Sequence, residues 1–349
     1  MQTLENKFFR LLPGTTGALS SYLLVAMAGA ATIIPEREGF SGYVDIGAGF
    51  VNVETNMVAS IASGHLDLGD DRIDSLDSSP DSETSAIPSV SFELSYTFAE
   101  HRTQVYLGNL LEDYLSFDMK TQLGVRKDVG KLGLMGIALL TTPVPTDVWR
   151  DPYRAGEKRR DTQENSHGVR LRWERIMGTG LALTYDAHRI DIDQEESGTG
   201  LNLSGAERDL LDRKGDSSRI ELEYEFQLGD GSRRLTPGVS YIDYDLDGEA
   251  MARDGYRVYA NFIYLPDSRW RWVLNASYAT LDNKESNPIY GKKDEADRFG
   301  VSVSAFYKEP LGWQDWALSL ALSYHDIDHD IDFYDTSLSA ATIGLFRQF

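Results

Sequence analysis

Ile220-Glu221-Leu222-Glu223-Tyr224-Glu225-Phe226-Gln227-Leu228 alternates apolar and polar side chains at every step. A helix would place apolar residues at i, i+3 and i+4. A period of two reads as a strand with one apolar and one polar face. The same alternation runs outward through the chain, in Val90-Phe92-Leu94-Tyr96-Phe98, Val169-Leu171-Trp173, Tyr256-Val258-Ala260-Phe262-Tyr264, Phe299-Val301-Val303-Ala305-Tyr307 and Trp316-Leu318-Leu320-Leu322-Tyr324. No segment of comparable length carries helical periodicity.

The connections between these strands fall into two alternating sets. Ala99–Arg102, Lys127–Lys131, Met177–Gly180, Gly229–Arg234, Pro266–Arg269 and Glu309–Asp315 are short. Met57–Pro88, Asn109–Leu115, Pro143–Asn165, Gln194–Asp216, Asp247–Asp254, Asp282–Asp297 and Asp326–Asp335 are mostly longer and polar. Six turns and seven loops separate 14 strands, with both termini on the short-turn side. Tight turns at one end and long loops at the other predict an all-β fold, a transmembrane up-and-down antiparallel β-barrel of the bacterial outer-membrane class. A soluble β-sandwich also alternates, but its turns need not segregate by length and its apolar face is the buried one. Here Phe98, Tyr264, Trp270, Trp272, Tyr307 and Trp316 lie beside short turns, and Tyr256, Tyr278, Phe299 and Tyr324 lie toward the loops. Two aromatic girdles around an aliphatic band suit a lipid-facing surface. Pro237 counts against full hydrogen bonding of its strand, but near a turn a missing donor is tolerable.

Composition narrows the function classes. The 349 residues carry 34 Lys+Arg against 55 Asp+Glu, a net charge of −21, which excludes a nucleic-acid partner. There is no cysteine, so disulfide frameworks, zinc ribbons, thiol catalysis and lipidated-cysteine anchors are excluded. A mean hydropathy of −0.35 does not suit a helical membrane bundle. At the amino terminus, Lys7 and Arg10 precede an apolar run from Ala18 to Ala31 that ends in small residues. That pattern predicts a cleaved secretory signal over 1–31, with cleavage after Ala30 or Ala31, and a barrel with long extracellular loops over 32–349. The expected location is the outer membrane of a Gram-negative bacterium.

The carboxy-terminal segment Ala341-Thr-Ile343-Gly-Leu345-Phe-Arg347-Gln-Phe349 resembles the last strand of bacterial outer-membrane proteins, although Arg347 stands where an aromatic is commoner. The resemblance implies recognition by the barrel-insertion machinery through Phe349. Ile34-Pro-Glu-Arg-Glu-Gly-Phe-Ser-Gly-Tyr43, Ile73-Asp-Ser-Leu-Asp-Ser-Ser-Pro-Asp81 and Asp147-Val-Trp-Arg-Asp-Pro-Tyr153 resemble a family of uncharacterised proteobacterial outer-membrane proteins, a domain of unknown function. The resemblance spans the mature chain and implies fold and location, with no activity or substrate.

If the apolar face meets lipid, the other face lines the lumen. Read strand by strand, it carries the acids Asp45, Glu93, Asp118, Glu174, Asp186, Glu221, Glu223 and Glu225. Its bases are Lys120, Arg126, Arg170, Arg172, Arg257 and Arg271, and His188 joins them. Acids slightly outnumber bases, which predicts a weak cation preference. Buried charges need partners, and Arg170 and Arg172 are expected to pair with Glu221 and Glu223. The remaining wall, with Ser302, Ser304, Ala317, Ser319, Ala321 and Ser323, is small and uncharged. Fourteen strands lie between barrels filled by side chains and those holding an aqueous channel.

Asp243, Asp245, Asp247, Gly248 and Asp254 fit the spacing of an EF-hand loop, a possible calcium site, but Asp254 replaces the bidentate Glu and strands flank the loop. Asp326, Asp328, Asp330 and Asp332, beside His325 and His329, form a second acidic row. Asp186-Ala-His188 puts a carboxylate and an imidazole on one strand face, a pair resembling the Asp-x-His of outer-membrane aspartyl-type proteases. A catalytic site also needs a facing acidic pair, so a lumen histidine satisfied by its neighbour is the expectation, and the chain is expected not to be an enzyme. The residues together predict a porin-like passive diffusion channel for small hydrophilic solutes. The alternative is a structural or adhesive barrel whose acidic loops bind divalent cations and lipopolysaccharide. A surface hydrolase ranks third. The path of Met57–Pro88 separates channel from plug.

Overall fold

The structure, a computed structural model, describes residues 33–61, 66–109, 120–142, 146–266 and 268–349. The expected leader over 1–31 and the lumen candidate Asp118 lie outside the described residues.

Alternation becomes an antiparallel sheet that closes on itself. Its staves are β1 (Gly39–Glu54), β2 (Ser82–Phe98), β3 (Thr103–Gly108), β4 (Thr121–Asp128), β5 (Leu134–Thr141), β6 (Asp161–Glu174) and β7 (Leu181–Ile192). They continue as β8 (Gly215–Tyr224, resumed by Phe226–Leu228), β9 (Arg233–Leu246), β10 (Arg253–Tyr264), β11 (Trp270–Asn283), β12 (Glu295–Lys308), β13 (Trp316–His329) and β14 (Thr336–Gln348). Each stave pairs with its chain neighbours, and β1 pairs with both β2 and β14, from Tyr43↔Gln348 to Glu54↔Ser337. The expected count of 14 holds. Closure leaves no sheet edge, as backbone groups inside lipid require. Phe349 and Gly42 exchange backbone hydrogen bonds of 3.0 and 3.1 Å, which seals the carboxy terminus to β1 at the short-turn end.

The ladder falters at one expected place. β8 is interrupted at Glu225: pairing with β9 runs to Glu223↔Gly238 and resumes at Phe226↔Leu235. Pro237 lies across this gap and brings no N–H to the ladder. The Glu225 N–H instead donates to the Gly180 carbonyl on the other side, at 2.9 Å.

The outer face is apolar and exposed. Ile46, Ile137, Leu171, Val258, Leu322 and Ile343 form its aliphatic band. Leaving such side chains in water forgoes about 1.5–3 kcal/mol each, so this surface is built for hydrocarbon. At the turn end, Phe40, Tyr96 and Phe98 meet edge to face, and Trp270 packs on Trp272 and Tyr307. At the loop end, Tyr241, Tyr278 and Tyr324 donate hydrogen bonds to Asp254, Asp297 and Asp326. These tyrosines keep their rings on the apolar band and their hydroxyls at its polar border.

Candidate functional site

Inward side chains divide the lumen into two walls. One is small, with Gly47 and Gly49 of β1, Ser302 and Ser304 of β12, and Ser319 and Ala321 of β13. The other is charged and organised by glycines. Tyr106 on β3 lies opposite Gly124 on β4, and Tyr259 on β10 lies opposite Gly238 on β9. A Cβ on either glycine would overlap the facing ring, so glycine lets each ring lie flat along the wall. Each ring carries an arginine: Arg126 stands 4.7 Å from the Tyr106 centroid, and Arg257 stands 4.7 Å from that of Tyr259.

The charged residues named from the sequence form pairs, though not always the expected ones. Arg172 meets Glu223 at 3.0 Å, as expected, and also Glu174 at 2.6 Å. The Tyr259 hydroxyl donates to the other Glu223 oxygen at 2.8 Å. Arg170, however, pairs with Asp186 rather than Glu221. Its Nε and Nη2 donate to the two Asp186 oxygens at 2.7 and 3.0 Å, and Arg219 adds a third bond at 2.6 Å. Asp186 sits directly across the β6–β7 ladder from Arg170, whereas Glu221 lies one stave further on. Glu221 takes Arg257 at 3.8 Å, Glu225 takes Arg234 at 3.7 Å, and Glu93 takes Arg126 at 2.6 Å. Arg271 turns back to the turn and donates to the Pro266 and Ser268 carbonyls. Asp45, on the small wall, accepts from Ser319. Asp186 is only 1% exposed and Arg170 4%, so these charges are buried and matched.

Arg219, Arg234, Arg253 and Arg298 also face inward and were missed by the strand-by-strand reading. Stave β10 runs past its apolar segment into what reads as polar loop, where Arg253 lies, and Arg234 lies in a predicted turn, whereas Arg219 and Arg298 stand one step before Ile220 and Phe299 within the alternation. With these arginines the lumen face carries more bases than the strand-by-strand count behind the expected weak cation preference.

In the loop half of the lumen, the walls enclose a cavity of about 410 Å³. Lys120, Arg219, Arg257 and Arg298 line it, with Ile242, Ile327 and Leu338 as an apolar patch. Tyr244 stands between Arg253 and Arg298, whose guanidinium carbons lie 5.1 and 5.8 Å from its ring centroid. His188 lies within 3.4 Å of the Lys120 ammonium. The Asp186 carboxylate is thus engaged by two arginines, while the His188 imidazole faces a lysine.

Above the cavity, the loops converge into a dome with its own core. Ile73, Tyr153, Leu211, Ile331, Phe333 and Tyr334 are buried together, and Met57, Leu76, Met251 and Tyr290 pack around them. Tyr153, between β5 and β6, and Tyr334, between β13 and β14, come from opposite arcs of the ring, yet their hydroxyls hydrogen-bond at 2.7 Å. Asn287 donates to the Tyr334 hydroxyl at 2.7 Å. The segment after Met57 crosses into this dome. Its strand Val58–Ile61 pairs with Thr146–Trp149, Asn56 donates to the Phe333 carbonyl, and Tyr290 donates to the Leu76 carbonyl. Arg159 is buried over the Trp149 ring at 4.3 Å and donates to the Asn56 carbonyl at 2.8 Å. The Asp151 carboxylate accepts from the backbone of Tyr153, Gly198 and Gly200 and so ties two loops together. Burial raises the pKa of Tyr153, Tyr290 and Tyr334 above the ordinary 10.0.

The calcium-like spacing does not gather its ligands. Asp243 and Asp245 share the Lys284 ammonium at 3.3 and 3.0 Å, Asp247 faces Arg189 at 3.6 Å, and Asp254 accepts from Tyr241. An ammonium thus stands where that loop would place a cation, because Asp243 and Asp254 are opposed across a ladder rather than folded around a point. The second acidic row disperses too: His329 bonds Asp294 at 2.6 Å while Asp326 turns to Tyr324. Among the described residues, no group of three or more His, Asp or Glu is placed to hold a metal ion.

Residues 39–346 match the family described as "Protein of unknown function (DUF2860)". No curated protein matches the chain. Among solved structures, it is similar to a Pseudomonas aeruginosa FadL homologue, with 10% identity, a TM-score of 0.42, and coverage of 89% of this chain and 90% of the other. It is similar to the CymD monoaromatic hydrocarbon channel at 10% identity and a TM-score of 0.46, covering 88% of each chain. It is also similar to the outer-membrane channel DcaP of Acinetobacter baumannii at 10% identity and a TM-score of 0.42, covering 92% of this chain and all of the other, 100%.

Proposed function

The chain belongs to the DUF2860 family of unknown function, and from that premise we propose that it is an outer-membrane channel for small hydrophilic solutes, closed in the described state by its own loop dome. In this reading, residues 1–31 are a cleaved leader, the dome faces the cell exterior among lipopolysaccharide, and the strand ending at Phe349 is the insertion signal. The observation that carries the proposal is the cavity of about 410 Å³ inside a charged lumen, directly beneath a dome that crosses the mouth. A purely structural barrel has no need of a charged cavity, because small apolar side chains fill a lumen without desolvating ions. In this reading the chemistry is transport rather than hydrolysis, since Asp186 is committed to Arg170 and Arg219.

A test reconstitutes the full-length protein in planar bilayers, with folding verified by heat-modifiable migration. The native protein should show rare, small ohmic steps. Phe333→Ala, which opens a hole in the dome core, should raise the open probability at least tenfold. Silence from both proteins in verified insertions would overturn the channel. The structural or adhesive barrel would then take its place, a reading that the Tyr153–Tyr334 bond across the mouth already favours.

A further inference from the structure

The lumen cavity gathers four positive side chains, of which Arg219 is held by Asp186 and Arg257 reaches Glu221 at 3.8 Å. Lys120, Arg219, Arg257 and Arg298 line it. Asp186, the lumen carboxylate on the same wall, is held by Arg170 and Arg219. Asp326, at the margin, turns to the Tyr324 hydroxyl. The Nε–H groups of Arg257 and Arg298, and of Arg253 beside them, are buried without a protein acceptor. A buried donor left unsatisfied costs about 1–3 kcal/mol, and more when charged, so such groups mark a place where an acceptor is expected. Like charges gathered in a low-dielectric lumen also repel one another, which a bound anion would relieve.

The other side of the cavity has a different chemistry. Ile242 and Ile327 pack with Leu281 and Ala296 in a small apolar cluster, and Leu338 closes the patch. Inorganic phosphate would waste that surface, whereas a neutral alcohol would leave the cationic donors at the Arg257 and Arg298 Nε–H groups without an anionic acceptor. The geometry points to a binding site for a small organic anion, with its carboxylate held by Arg257 and Arg298 and a short aliphatic body against Ile242, Ile327 and Leu338. This inference rests on the channel reading, for which it names the solute class. A volume of about 410 Å³ lies in the ordinary range for small-ligand sites.

Titration calorimetry on the detergent-solubilised, folded full-length protein tests this without requiring conductance. Butyrate should bind saturably, n-butanol should give no binding heat, and inorganic phosphate should bind at least tenfold more weakly than butyrate. Arg298→Gln should weaken butyrate about tenfold, the loss expected when a charged hydrogen bond is removed. If that variant does not fold, Arg298→Lys keeps the charge and loses the planar donor pair, and it should still weaken butyrate severalfold. Butyrate should also raise the unfolding temperature of the native protein in proportion to occupancy. Absence of butyrate binding, equal binding by native protein and the folded Arg298 variant, or phosphate binding as tight as butyrate would each overturn the assignment. Conductance without butyrate binding would sink this inference and leave the channel standing. Binding without conductance would do the reverse.

Discussion

The dome and the lumen wall are both buried, yet they are held by opposite chemistries. In the dome, Phe333, Leu211 and Ile331 exclude water, and its buried hydroxyls answer one another in the neutral chain Asn287–Tyr334–Tyr153. In the wall, guanidinium and carboxylate answer one another across adjacent staves, as Arg170 and Asp186 do. Dome contacts join segments far apart in sequence with no sheet ladder through most of them, whereas wall contacts ride on a continuous ladder. The comparison teaches that the barrel can tolerate charge inside because its backbone is rigid. The dome also buries charge, Arg159 and Asp151 among it, but ties it to backbone groups of its own loops rather than to a continuous ladder, and it is therefore the part able to come apart without the barrel. Local opening free energies differ across a protein in this way.

The strongest way to break the comparison is to remove one wall charge. Asp186→Ala leaves Arg170 and Arg219 buried and facing each other, and breaking a buried pair costs about 3–5 kcal/mol. The expected outcome is a lower urea midpoint for loss of the heat-modifiable barrel, with hydrogen exchange in the dome unchanged. A dome that loosens equally would show that the two regions form one cooperative unit.

Alkaline titration probes the dome in turn. Burial raises Tyr153, Tyr290 and Tyr334 above the ordinary 10.0, so the folded dome keeps protons that the opened dome releases. Their contribution to stability is whole below pH 10 and is lost as pH climbs from there toward the folded values. Tyrosinate absorbance should rise in two stages, exposed rings first and dome rings later, the second stage coinciding with dome exchange while the barrel stays folded. Tyr334→Phe should shrink the second stage. A single stage at the ordinary pKa would mean that the dome is open in solution.

The barrel was legible in the sequence and the dome was not. A period of two states which face of each strand is apolar, and turn lengths state which end is which, so the staves, their number and the girdles follow from local pattern. Arg172 could be matched to Glu223 because both lie within obvious strands. Arg253 could not be assigned, since it stands inside Asp247–Asp254, where polar loop sequence continues into stave without a change of pattern, whereas Arg298, one step before Phe299 in the alternation, was legible and passed over. The Tyr259–Gly238 contact has no local signal at all, because register brings the two together. In the dome, Tyr153 and Tyr334 lie 181 positions apart and meet only through the fold of loops with no period to read. The Asp243–Asp254 carboxylates are not gathered for a related reason. Their spacing fits a loop wrapped around an ion, but the alternation through Tyr241 and Tyr256 keeps those aspartates on paired staves, where Lys284 reaches them.

The smallest expected effect concerns the dome's short helix, α1 (Gly205–Asp209). Ser204 caps it: the Ser204 hydroxyl accepts from the Glu207 backbone N–H at 3.3 Å, and the Glu207 carboxylate accepts from the Ser204 N–H at 2.7 Å. This reciprocal box satisfies two amides at the helix start. The backbone hydrogen bond from Ser204, followed by the side-chain one, lowers the Glu207 pKa below its ordinary 4.5. Because the folded value is the lower one, the box is at full strength above the ordinary carboxylate pKa and weakens as pH falls through the folded value. Ser204→Ala should destabilise the helix locally by about 1 kcal/mol, within the range for lost caps. Exchange of the 205–209 amides should accelerate about fivefold at neutral pH, and the difference between variant and native protein should persist once acid has protonated Glu207, because the lost hydroxyl bond to the Glu207 N–H does not titrate. Since Leu211 enters the dome core two residues after the helix, exchange around Phe333 should quicken only slightly. An effect there as large as in the helix itself would make the helix a keystone of the dome rather than a trim on its edge.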